Sequence, residues 1–170
     1  GNAGLRFPGR QIVLRSLGGP QNCTIISGYG NIRFDSGETR ETMLEGFTIR
    51  DYIGPDYGAQ GAVEIDGSCP TIRDCIVVNA AFDAICAYNG AGPLIEGCRL
   101  IECSGGVVGR MHGCVLRNCR IERNLGVGVL VSREGGVRIE NCLIVDNSTY
   151  YTYASAVSVV AGDAAASVVI

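Results

Sequence analysis

The sequence predicts an all-β chain wound as a parallel solenoid of about seven rungs with three strands in each. Three observations carry that expectation. An apolar residue, a turn residue and then Cys or Phe recur six times in one frame, anchored at Cys23, Phe47, Cys75, Cys98, Cys119 and Cys142. These anchors stand 24, 28, 23, 21 and 23 residues apart, and a period of about 22 is one turn of chain in such a coil. A second apolar pattern begins at Ile12, Ile32, Val63, Ile85, Val107, Val129 and Val157, with three successive steps of 22. Composition agrees: 46% of residues are hydrophobic but only 6% aromatic, with no Trp, so small and β-branched side chains must fill a narrow stacked core. The 25 glycines against 5 prolines suit tight corners between short strands.

Each part of a rung follows from these patterns. The six anchors share one position per rung and are expected to stack as an inward ladder, where a thiol behaves as a small hydrophobe. The residues just before them are Asn22, Gly46, Asp74, Gly97, Asn118 and Asn141. All are types that tolerate a left-handed backbone, which predicts a sharp corner between two short strands. The second pattern reads as strands over 12–15, 32–35, 63–66, 85–88, 107–110, 129–132 and 157–160, with first and third residues inward and second and fourth outward. Longer steps predict loops over 35–42, 51–60 and 147–155. Residues 1–170 read as a single domain, either a segment of a longer chain or a stacking unit. The chain opens almost directly into a strand, and an uncovered terminal rung would accept a copy of the other end.

The bulk numbers exclude several classes. All 14 basic residues are Arg, scattered among 17 acids for a net charge of −3, so no basic stripe marks a nucleic-acid surface. No apolar run reaches the roughly 20 residues of a membrane-spanning helix. The nine cysteines include no CxxC pair and His112 has no ligand-spaced partner, which predicts neither a metal site nor a cofactor. The off-ladder Cys69, Cys86, Cys103 and Cys114 leave a disulfide among them open.

The phrases over 68–76 (Ser-Cys-Pro-Thr-Ile-Arg-Asp-Cys-Ile) and 91–98 (Ala-Gly-Pro-Leu-Ile-Glu-Gly-Cys) are similar to a rung of the form P-x-I-x-[ND]-C-x-I alternating with G-I-x-V. On these motifs the whole chain resembles the right-handed parallel β-helix proteins of the pectin-lyase-like superfamily. That resemblance implies a right-handed coil, a location outside the cell or on its surface, and an outer strand face along which a polysaccharide lies. The fourth positions then form the column Arg15, Asp35, Asp66, Tyr88, Arg110 and Ser132, with Glu64 and His112 beside it. Rungs rise by about 4.8 Å, comparable to a sugar repeat; carboxylates and Arg can bond hydroxyls or uronates, and Tyr88 can stack on a ring. Asp35 and Asp66 fall within the roughly 5–9.5 Å range of glycosidase carboxylate pairs, and Arg110 resembles a lyase base. These three are the catalytic candidates. The clustered aspartates and Gly-His-Gly of polygalacturonases, the Arg-x-Pro-x-x-Arg of pectate lyases and the Tyr-Gly-x-Asp-Pro-His of alginate epimerases are all missing. The reading is therefore a non-catalytic extracellular rod with a structural, display or adhesion role, able to assemble end to end. The alternative is a polysaccharide lyase, glycoside hydrolase or binding module for an acidic polysaccharide.

Overall fold

The computed structural model describes residues 4–54, 61–109, 111–132, 136–148, 156–160 and 167–169. Within them the chain is a parallel β-solenoid with no helix, and successive strands pass in turn to three sheets. The first sheet is β1 (Leu5–Arg6), β4 (Ile32–Phe34), β7 (Gly61–Asp66), β10 (Asp83–Tyr88), β13 (Gly105–Gly109), β16 (Val129–Ser132) and β19 (Val157–Val160). The second is β2 (Val13–Arg15), β5 (Met43–Glu45), β8 (Thr71–Arg73), β11 (Leu94–Glu96), β14 (His112–Arg117), β17 (Gly136–Glu140) and β20 (Ser167–Val169). The third is β3 (Thr24–Gly28), β6 (Thr48–Tyr52), β9 (Ile76–Val78), β12 (Arg99–Ile101), β15 (Arg120–Glu122) and β18 (Leu143–Val145).

Alternation along each short strand sends one apolar residue inward per rung, and equivalent residues stack. Leu44, Ile72, Ile95, Leu116 and Ile139 line the second sheet; Ile49, Val77, Leu100 and Ile121 line the third. On the first, Ile32, Val63, Ile85, Val107 and Val129 are fully sequestered. Phe47, Cys75, Cys98 and Cys119 are buried at the corner between second and third sheets, and the end members Cys23 and Cys142 are partly buried. Backbone bonds such as Arg99 N–H to Cys75 O and Arg120 N–H to Cys98 O hold these anchors in one register. No disulfide joins any of the nine cysteines.

The corner before the ladder is left-handed at Gly46 (φ 77°), Asp74 (49°), Gly97 (65°), Asn118 (54°) and Asn141 (49°). Asn141 Nδ2 donates to Asn118 Oδ1 at 2.7 Å, so these two corners are tied side chain to side chain. Asn22 departs from the expectation: it is not among the residues of positive φ. Ser16 stands at the rung position of Gly46, because its N–H donates to Glu45 O just as that of Gly46 donates to Arg73 O. Residues 17–22 are thus inserted into the first rung. There Gly19 takes the positive φ, at 71°, and Asn22 closes the loop on Gly18 O.

A second left-handed column, which the pattern reading did not anticipate, joins the third sheet to the first. Asp51, Asn79, Glu102, Arg123 and Asp146 all have φ between 53° and 57°. Each stands four residues after a ladder anchor. Just inside this corner, buried Asn124 accepts the Cys103 N–H through Oδ1 and donates to Leu100 O and Asn147 Oδ1. At the opposite corner buried Glu38 accepts from Gly9 N–H, Ser36 N–H and the Ser68 hydroxyl. The inward residues of the first rung, Leu5, Ile12, Leu14, Cys23 and Ile25, are only partly buried. Next to them opens a cavity of about 320 Å³, lined in part by Leu5, Ile25, Ser27 and Asn31.

Candidate functional site

The outward face of the first sheet brings together most of the column expected from the sequence. Register pairs Phe34 with Ile65 and Tyr88 with Asp66, which sets Asp35, Asp66 and Tyr88 on three successive rungs. Ser132 lies farther along the sheet, paired with Val160. Arg110 lies outside the described residues. His112 is exposed at the start of β14, on the second sheet, at a register shift between His112 and Cys114.

Arg15 is the correction. It ends β2 on the second sheet and pairs with Glu45, and the rung above Ile32 on the first sheet is supplied by Leu5 instead. The 12–15 segment matches the apolar pattern of both sheets; the six inserted residues 17–22 hid its true distance from the ladder. In its place Arg6 enters the face, donating from Nε to Asp35 Oδ1 at 2.7 Å.

Around Asp35 the polar groups form a network. Arg33 Nη2 lies 3.0 Å from Glu64 Oε1, and its Nε lies 3.5 Å from Asp35 Oδ2. Glu64 was expected beside the column on the outer strand face, yet its side chain is only 3% exposed. It keeps its place because three donors surround it: Arg33, Asn31 Nδ2 at 2.6 Å, and the Tyr88 hydroxyl. Burial, followed by the bond to the Glu64 carboxylate, pushes the Tyr88 phenol well above its ordinary range. Burial also raises Tyr52, with the negative charge of Glu64 adding to it. Asp66 accepts from Asn89 Nδ2 at 2.8 Å. Asp35, Glu64 and Asp66 are therefore each engaged by donors of their own chain.

Asp83, at the start of β10, was not anticipated. Register places Gly61 and Gly105 on either side of it. Desolvation alone pushes its carboxyl up to about 7, and among the described residues no group donates a hydrogen bond to it. Its charge in turn helps raise the Cys86 and Cys103 thiols, whose burial is the larger cause. The available signal was an acid flanked by Phe82 and Ala84, with nothing cationic in its strand.

The outward face of the second sheet is organised differently. At one position of each rung stand Arg15, Glu45, Arg73, Glu96, Arg117 and Glu140, in strict alternation. Arg15 Nε–Glu45 Oε2 is 2.8 Å, Arg73 Nε–Glu96 Oε2 3.1 Å, Arg117 Nη1–Glu96 Oε1 3.5 Å and Arg117 Nε–Glu140 Oε2 2.7 Å. On the third sheet, Glu122 is enclosed by Arg120, Arg99 and Arg123. The hydrogen bond from Arg120, more than any other influence, holds its carboxyl below the usual range.

Among the described residues no group of three His, Cys, Asp or Glu side chains could hold a metal ion, and no helix is long and apolar enough to cross a membrane. The model of the right-handed β-helix region matches residues 21–169, and the chain belongs to that family. No curated protein and no solved structure shows significant similarity to it. The family establishes the coil and leaves the activity to be argued from the face.

Proposed function

We propose that the chain is a non-catalytic β-helix rod, working outside the cell or on its surface in a structural, display or adhesion role. The observation that carries this reading is the engagement of Asp35, Glu64 and Asp66 by Arg6, Arg33, Asn31, Tyr88 and Asn89. A carboxylate committed to its own chain's donors must give up those bonds before it can act on a sugar, and a buried polar network is costly to open. The location rests on the superfamily resemblance. The buried thiols of Cys75 and Cys114 are compatible with it, since desolvation raises Cys75 to about 11 and Cys114 to about 12, and a thiol held protonated is a poor partner for oxidation. The test is a panel of neutral and acidic polysaccharides assayed for unsaturated products and new reducing ends, with and without calcium. No turnover is expected; turnover of any one polymer overturns the reading.

A binding module for an acidic polysaccharide is the second reading, favoured by the partly exposed guanidinium groups of Arg6 and Arg33 on the same face as Tyr88. It would use Tyr88, Asp66, Ser132 and Arg110 as its contact line. Calorimetry then finds an anionic polymer bound more tightly than a neutral one, and Arg110→Ala removes that preference. Absence of binding to every anionic polymer disposes of it.

A further inference from the structure

The second sheet's charged column has a symmetry that the other faces lack. Six positions alternate from Arg15 to Glu140, and a strictly alternating row of even length becomes its own complement when reversed. Beside it, on the same six rungs, runs a second outward column of Val13, Met43, Thr71, Leu94, Val115 and Arg138. Val13 is exposed, Met43, Leu94 and Val115 are half-buried, and Thr71 is buried. An apolar stripe edged by an ordered charge row is the make-up of a contact surface.

We propose that two copies of the chain pack face to face through this sheet with their rods antiparallel. The two-fold axis lies along the strand direction, between the Arg73 and Glu96 rungs. Rotation about it lays the charged column on the charged column in reverse order. Arg15 then faces Glu140 of the second copy, Glu45 faces Arg117, and Arg73 faces Glu96. The same rotation lays the second column on itself, with Met43 against Val115 and Thr71 against Leu94, and only at the two outer ends does Arg138 fall on Val13. A parallel pair, with its axis along the rod, instead turns every charge except Glu140, which meets Arg138, onto the partner's Val13-to-Val115 stripe, and unpaired charge against hydrocarbon is strongly unfavourable. Charge order thus selects one orientation, which is the main service of electrostatic complementarity at an interface.

Neither remaining face has this property. The first sheet sets Asp35 next to Asp66, and the third sets Arg99 next to Arg120, so reversal does not match opposite signs throughout. The alternation also stabilises the single stack, since each charge has an opposite neighbour in its own chain, and the cross-rod pairs add to those bonds. A face six rungs tall and three residues wide covers roughly 250 Å², well under the ~800 Å² per partner of a standard interface. The pair is accordingly weak, dissociating at about 0.1–1 mM, and matters where copies are concentrated. The inference goes beyond the rod reading, which stands whether or not copies pair.

The test is sedimentation equilibrium of the unmodified chain from about 10 μM to 1 mM at low and high salt, where screening weakens charge pairing. A reversible dimer is expected, weakened about tenfold by the salt. Arg73→Glu alone sets acid against acid in both pairs at the axis, and Glu96→Arg alone sets base against base in both. Each is expected to weaken self-pairing at least about tenfold, while an equimolar mixture of the two forms a heterodimer. Circular dichroism and melting of both variants verify that they fold, and the unmodified chain's concentration series decides the matter if they do not. A monomer throughout that range at low salt overturns the proposal, as does a mass climbing beyond two copies, which marks end-to-end growth. A mixture that pairs no better than its separate components also overturns it.

Discussion

On the second sheet opposite charges alternate from rung to rung along the outer face, while on the first sheet they crowd into a few neighbouring rungs. Glu96 has Arg73 and Arg117 beside it, all in partial contact with water. Glu64 has Arg33, Asn31 and Tyr88 about it and almost no water. The two carboxylates occupy equivalent outward settings in the same coil, yet their energetics differ in kind. Exposed ion pairs are screened and individually contribute little, whereas a buried charge depends on every donor around it. The difference shows how a uniform scaffold can carry one face held by many weak terms and another held by a few strong ones.

The largest effect expected is therefore on the first sheet. Glu64→Ala leaves Asn31 and the Tyr88 hydroxyl without their acceptor and Arg33 without its buried partner. A loss of about 2–3 kcal/mol of stability is expected, read by chemical denaturation. A cost under about 0.5 kcal/mol would place Glu64 with the exposed pairs and erase the contrast between faces.

Asp83 sharpens the comparison from the opposite direction, as a carboxyl with no donor among the described residues. Its folded-state value of about 7 lies above the ordinary carboxylate value. Between about pH 4 and pH 7 the folded chain holds a proton that the unfolded chain has released, so stability falls as pH rises through that window and levels off above it. Asp83→Asn is expected to remove this slope and to stabilise the protein by about 2 kcal/mol at pH 8. Melting curves across pH 4–8 check it; a variant with the same slope as the parent removes Asp83 as its source.

The inward half of this architecture was legible because repetition multiplies a weak signal. One Cys98 says little, but Cys75, Cys98, Cys119 and Cys142 in a single frame define a column, and Asp74, Gly97, Asn118 and Asn141 before them define a corner. The corner at Asp51, Asn79, Glu102, Arg123 and Asp146 was equally periodic and was missed, because Glu and Arg are not residues whose type suggests a left-handed backbone. Arg15 was misplaced where the period breaks, at the 17–22 insertion. A better guide was the residue two before each anchor: Glu45, Arg73, Glu96, Arg117 and Glu140 alternate in sign, and Arg15 extends that alternation by one. Outward positions such as Glu64 could not be graded from sequence. Their burial depends on neighbours brought from other rungs, here Asn31 and Tyr88, 33 and 24 residues away.

The smallest effect expected returns to the second sheet. Glu96→Ala removes the acceptor shared by Arg73 and Arg117, but Arg117 retains Glu140 at 2.7 Å and Arg73 remains beside Glu45 in the ladder. Both guanidinium groups reach water, so neither is stranded. The expected loss of stability is at most about 0.5 kcal/mol at low salt and is undetectable near 1 M salt, where the screening length falls to about 3 Å. Denaturation of parent and variant at both salt concentrations measures it directly. A loss above about 1.5 kcal/mol that persists at high salt would mean that the ladder acts as one cooperative unit, so that the second sheet, like the first, depends on each of its charges.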